Sequence, residues 1–208
     1  MIGLKPNISR RYGLRGFSLI ELLIAMTISL VILGAAVTVF WRALSTRARE
    51  SSRTDAITSA QAALNIMSRE IGNAGYGLDS NGVVLDSTST VLHIRSNIDN
   101  SNRTTSEPGE DIVFYLDGTG ADRSVVRHDN NTNETSGIIN RISSFTFDYV
   151  NYVNPPDTLP VGPSPATGKI TITLTVELPN VQGQPSGRTV TVKSDVTLRN
   201  STYMRGQY

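Results

Sequence analysis

The sequence predicts an α+β chain: a long N-terminal helix, membrane-spanning in its first half and amphipathic in its second, packed on an antiparallel β-sheet domain. Three observations predict it. Leu22 to Trp41 form a run of twenty residues without a charge, long enough to cross the ~30 Å hydrocarbon layer as a helix. No proline stands between Pro6 and Pro108, and Ala56, Ala60, Ala63, Leu64, Met67 and Ile71 recur at spacings of three and four, the stripe of a helix that buries one face. Beyond a cluster of glycines, several short segments alternate apolar and polar residues, the period of strands covered on one side.

Composition narrows the function classes. Hydrophobic residues make up 38% of the chain, low for an enzyme built on a large core. Four of the nineteen basic side chains lie in residues 1–16. That leaves fifteen against eighteen acids, a formal −3 for the rest, and nucleic-acid binding, which needs a basic face for phosphates, is not expected. There is no cysteine, which excludes disulfides, thiolate chemistry and cysteine-based zinc sites.

Residues 1–16 carry Lys5, Arg10, Arg11 and Arg15, and no acid precedes Glu21. With the basic residues all before the apolar run, the positive-inside rule places this segment in the cytoplasm and the remainder outside. Trp41 and Arg42 then fall where an interfacial aromatic and a snorkelling cation belong. A secretory signal peptide fits poorly, because the run exceeds 7–15 residues and no small-x-small cleavage site follows. A plain signal anchor with Glu21 near the membrane edge fits hydropathy alone. Glu21 is the anomaly, since a carboxylate at membrane depth costs about 2.5–3.5 kcal/mol on insertion scales.

The stretch RGFSLIELLIAM, Arg15 to Met26, closely resembles the class III signal of type IV pilins and of the pseudopilins of type II secretion. The resemblance implies a basic leader, 1–16, cut after Gly16 by prepilin peptidase, with Phe17 as the new and N-methylated terminus. It makes Glu21 an assembly-register residue, whose carboxylate pairs with the Phe17 amine of a neighbouring subunit or with its own. Gly16, without a side chain, lets the backbone enter a protease cleft, and a carboxylate–amine pair in register offsets the desolvation of both charges. The implied partners are prepilin peptidase, other pilins or pseudopilins, an inner-membrane assembly platform and membrane lipid. The implied place is the inner membrane, single-pass, with the C-terminal domain in the periplasm, and then a pilus or pseudopilus.

The helix is expected from Phe17 to about Ile71, roughly 80 Å at 1.5 Å per residue, with 17–41 in the membrane or filament core and 42–72 as its continuation. Arg42, Arg47, Arg49, Glu50, Arg53 and Asp55 make the section after Trp41 polar nearly all round. Gly34 is a soft point, or a place of close packing against another helix. The resemblance implies a helix proline in major, filament-building pilins. This chain has none, which favours a minor role.

Gly72, Gly75, Gly77 and Gly82 are expected to end the helix and open a β-rich globular domain, 73–208. The helix end MSREIGNAGYG, Met67 to Gly77, resembles PilW-type minor pilins and J-type minor pseudopilins. Strands are expected at TVLHIRS, DIVFYLD and SFTFDYV, the last through Phe145, Phe147 and Tyr149. KITITLTVEL alternates through Ile170, Ile172, Leu174, Val176 and Leu178, and RTVTVKSDVTLRN through Val190, Val192, Val196 and Leu198. Asn180 to Gly187 reads as a hairpin loop and Asn154 to Gly168 as a Pro-rich surface loop.

No nucleophile elbow, phosphate loop or zinc-binding histidine pair occurs, and the two histidines, His93 and His128, read as packing or surface residues, so the chain is not expected to be an enzyme. Asp129, Asn131 and Asn133 have the spacing that opens a calcium loop. Glu134 stands where that loop needs glycine and Asn140 where it needs a bidentate acid, so calcium is a partial match and otherwise no cofactor is expected. Asp117 and Asp122 add oxygens only if the fold brings them near.

The chain is thus expected to be a minor pilin-like subunit in pilus assembly or initiation, serving adhesion or secretion. The alternatives are a J-type minor pseudopilin and a non-polymerising, signal-anchored periplasmic binding domain.

Overall fold

The computed structural model describes residues 16–101, 103–153, 159–181, 185 and 187–207. Most of the basic leader, residues 1–15, lies outside the described residues, as do residues 154–158 of the Pro-rich loop and 182–184 and 186 of the last hairpin loop. The chain divides into two compact units, 1–46 and 47–208.

In the first unit the helix α1, Leu19–Gly72, begins, and the large apolar side chains from Phe17 to Leu44 are exposed. This helix is long and apolar enough to cross a membrane. The polar residues inside the apolar run satisfy themselves. Thr27 Oγ1 donates to the Ile24 carbonyl at 2.8 Å, Ser29 Oγ to Ala25 at 2.8 Å and Thr38 Oγ1 to Gly34 at 2.9 Å. In lipid, where no water competes, such back-bonding spares each hydroxyl an unmet hydrogen bond. Gly34 does not interrupt the helix.

In the second unit α1 buries Ala56, Ala60, Ala63, Leu64, Met67 and Ile71 and stops at Gly72. The chain then turns on Gly75 and Gly82, both at positive φ, +77° and +76°. A Cβ on Gly82 would fall on the Gly75 amide and the Arg95 carbonyl, so the turn requires glycine there. The C-terminal end closes over the same turn. Asn200 donates to the Ala74 carbonyl at 3.1 Å, and Arg205 to Leu78 at 2.8 Å and Asp79 at 2.6 Å.

Among the described residues seven antiparallel strands follow in two sheets. The first has β1 (Val91–Arg95), β2 (Asp111–Asp117), β3 (Ser124–Asp129) and β4 (Glu134–Asn140) in that order. The second has β5 (Ile142–Asn151), β6 (Thr167–Glu177) and β7 (Thr189–Thr197). A short helix α2, Thr202–Arg205, ends the chain and is capped by Ser201, whose hydroxyl accepts from the Met204 amide. The expected antiparallel domain is therefore present but split in two. The core-facing rows are those the alternation marks: Phe145, Phe147 and Tyr149 on β5, and Ile170, Ile172, Leu174 and Val176 on β6, all buried. Leu92, Ile94, Ile112 and Phe114 complete the core from the first sheet.

Strands β3 and β4 are not among the expected strands, although the turn between them, residues 130–133, falls in the polar stretch that holds Asp129, Asn131 and Asn133. Their alternation is broken by the adjacent pair Val125 and Val126, where the β3–β4 register shifts at a bulge. In β4 the apolar residues Ile138 and Ile139 are likewise adjacent rather than alternating, and a bulge moves the side-chain phase by one residue. The Pro-rich loop is also shorter than expected, since Thr167 and Gly168 already belong to β6 and Val161 bridges to Tyr149.

Candidate functional site

The candidate site lies at the start of α1. Gly16 and Phe17 precede the helix and are exposed, Phe17 to 82%. Among the described residues nothing lies within 4 Å of where a Gly16 Cβ would stand. The first helical hydrogen bond runs from the Leu22 amide to the Ser18 carbonyl at 3.1 Å. Only Ser18 thus separates Phe17 from the helix.

Glu21 falls in the first turn, where the helix's unsatisfied amides give a partial positive charge that favours a carboxylate. It is exposed, and no side-chain hydrogen bond or ion pair joins it to any of the described residues. Phe17 stands four residues before Glu21, just ahead of the helix, so an amine formed there would lie at the same end of the helix as the Glu21 carboxylate. A feature missed in the sequence is Ser18, which with Glu21 has the Ser-x-x-Glu spacing of a capping box. That spacing before an apolar run is a readable signal, although no side-chain bond joins the two here.

The structure separates the oxygens of the partial calcium loop from their suggested helpers. Asp129 ends β3, and Asn131 and Asn133 lie in the turn to β4, with Asn133 at φ +57°. The Asp129 carboxylate accepts the Gly109 amide at 2.6 Å and the Asn131 amide at 3.0 Å. The Asn131 side chain donates to the carbonyls of Thr105 and Glu107 at 2.9 and 2.7 Å. These contacts fasten the 105–109 loop to the β3–β4 turn. Asp117 pairs with Ser124 at the other end of the ladder in which Asp129 pairs with Ile112, five residues or about 17 Å away at strand spacing. Asp117 and Asp122 are therefore not brought near. Among the described residues no three histidine, aspartate or glutamate side chains are placed to hold a metal ion.

Both histidines lie in strands, His128 one residue before the end of β3 and so beside the β3–β4 turn. His128, in β3, places Nδ1 2.8 Å from Thr135 Oγ1 across the hairpin. His93 is buried in β1 between Asp86 and Asp111. Burial pushes the Asp111 carboxyl upward, but hydrogen bonds from Asn130, His93 and Arg95 outweigh it and hold its pKa below the usual carboxylate value. Burial raises the Tyr149 hydroxyl well above its ordinary pKa, and that hydroxyl donates to the Thr88 carbonyl at 2.7 Å. Tyr149 therefore acts as a neutral donor that fastens β5 to the segment before β1.

Comparison with known proteins adds one match. No curated protein and no solved structure matches the chain. Residues 14–37 match the model of the prokaryotic N-terminal methylation motif. The match covers Gly16, Phe17, Glu21 and the apolar run as far as Val37, and supports a type IV pilin-like class III signal and a prepilin-cleaved protein of the pilin or pseudopilin type.

Proposed function

We propose that the chain is a minor type IV pilin-like structural subunit, nearest in kind to PilW-type minor pilins, that takes part in pilus assembly and initiation. Prepilin peptidase cuts it between Gly16 and Phe17, the Phe17 amine is methylated, and the subunit passes from the inner membrane into a filament with other pilins. The leader lies in the cytoplasm before cleavage, the second unit lies in the periplasm, and a membrane platform drives insertion. Cleavage removes the cluster of four basic residues that would hold the chain in place and creates the cation that Glu21 lacks.

One observation carries this reading. Glu21 is an acid in the first turn of an apolar helix with no partner among the described residues, inside a matched methylation motif. The cost of a carboxylate at depth is offset by a cation, the Phe17 amine of an assembled neighbour or its own. The proline-free helix supports a minor rather than a filament-building role.

The test is a mass measurement on the chain recovered from cells, together with Glu21→Val. A mature chain beginning at methylated Phe17, with Glu21→Val inserted in the membrane but absent from filaments, is the expected result. A chain that still begins at Met1, or normal filament incorporation of Glu21→Val, overturns it.

A further inference from the structure

The four-stranded sheet has an edge that is covered rather than paired with a full strand. Segment 82–90 runs along the outer edge of β1. Arg95 donates its amide to the Gly82 carbonyl at 2.7 Å, Val84 to His93 at 3.0 Å and Thr88 to Val91 at 2.7 Å. Ser87 bridges both backbone groups of His93, accepting from its amide at 3.0 Å and donating to its carbonyl at 3.2 Å. Such a cover hides a row of amides and carbonyls that would otherwise invite another strand.

The side chain of His93 adds a second fastening of a different kind. Its Nδ1 lies 2.9 Å from both carboxylate oxygens of Asp86, in the covering segment, and its Nε2 lies 2.6 Å from Asp111 Oδ1 on β2. Asp111 is further held by Arg95 Nε at 2.7 Å and by the Asn130 amide at 2.6 Å. On the same sheet face, one row away along β2, stands Tyr115. Across Val113 stands His128, engaged with Thr135.

An imidazole with one proton has one donor and one acceptor nitrogen, and only the doubly protonated ring donates on both sides. Two carboxylates on its two nitrogens are therefore both satisfied only by the cation. With that cation the cluster holds two positive charges, His93 and Arg95, against two negative ones. Without it one negative charge is in excess. The two carboxylates are unequal: the Asp111 side chain is 8% exposed and that of Asp86 65%. An unmet charge costs more inside than in water, so the remaining proton stays on Nε2 toward Asp111. The lone pair then faces Asp86, which turns out to solvent.

We propose that Asp86 and His93 form a proton-controlled latch on segment 82–90. With the ring doubly protonated the segment is fastened to the β1 edge by its side chains as well as its backbone. With the ring neutral the Asp86 arm releases and the edge of the four-stranded sheet opens more often. The latch belongs to the second unit and does not depend on how the N-terminal motif is processed.

Amide hydrogen exchange on the full chain in detergent micelles tests this. After correction for intrinsic rates, protection at Val84 and Thr88 should fall about threefold as pH rises and the ring gives up its second proton, the size of a partly exposed ion pair. Asp86→Asn should remove that pH dependence and His128→Gln should keep it. Nitrogen-15 shifts of the His93 ring in the wild-type chain should show Nδ1 losing its proton while Nε2 keeps it, a readout that needs no variant. Protection independent of pH, dependence that persists in Asp86→Asn, or loss of the Nε2 proton first would each overturn the latch.

Discussion

Arg127 in β3 reaches the last turn of α1 and grips Glu70, its Nε lying 3.1 and 2.9 Å from the two carboxylate oxygens. Both side chains are about a quarter exposed, so water screens the pair only in part. This contact joins the helix end to the first sheet, beside the buried Ile71. Arg127→Met should lower stability by about 1 kcal/mol, or roughly 2–4 °C in melting temperature for a domain of this size. Unchanged melting of the detergent-solubilised chain would mean that the pair adds nothing to the packing around it.

Met67 is fully buried on the same helix. Met67→Ala leaves a cavity that the surrounding rigid strands cannot fill, at an expected loss of about 2–5 kcal/mol. Ile66, one residue earlier, is 41% exposed, and Ile66→Ala should stay within about 1 kcal/mol. Equal losses for the two would contradict the assigned helix face.

Gly16 is the residue next to the proposed cut whose side-chain position is open space. Gly16→Trp should leave full-length precursor in the membrane fraction, visible on an immunoblot as a band larger than the mature chain. A mature band of ordinary size would show that the cleft tolerates a bulky residue there.

Asp111 links the fold to pH. Its carboxyl lies below its ordinary pKa because hydrogen bonds from Asn130, His93 and Arg95 outweigh burial. A carboxyl depressed in the folded state stabilises fully above its unfolded pKa, near 3.9, and loses that contribution as pH falls through the folded value. Acid titration followed by circular dichroism should therefore show a stability loss beginning below about pH 4, and Asp111→Asn should flatten it. Parallel acid limbs in the two proteins would assign the loss to other carboxylates.

Legibility in the sequence followed periodicity. The six-residue stripe on α1 was readable because a helix facing a core must repeat at three and four, and β5 and β6 because Phe145 to Tyr149 and Ile170 to Val176 alternate buried and less buried residues. β3 and β4 were not, since the bulge at Val125 and Val126 shifts their phase and the turn between them is rich in asparagine. The His93 cluster joins residues 7, 18 and 37 positions apart, and no local pattern records such contacts. Gly16, Phe17 and Glu21 stood out as a motif, but a partner for Glu21 on another chain has no trace in one sequence.

The self-satisfied hydroxyls of Thr27, Ser29 and Thr38 leave the apolar run nearly featureless to a neighbour. Sliding it one helical turn along its axis exchanges one aliphatic surface for another, and no polar group gains or loses a contact. Glu21 alone breaks that translational indifference. In the proposed filament alignment is thus encoded at Glu21, and a second carboxylate one turn further along would make two alignments nearly equal in energy.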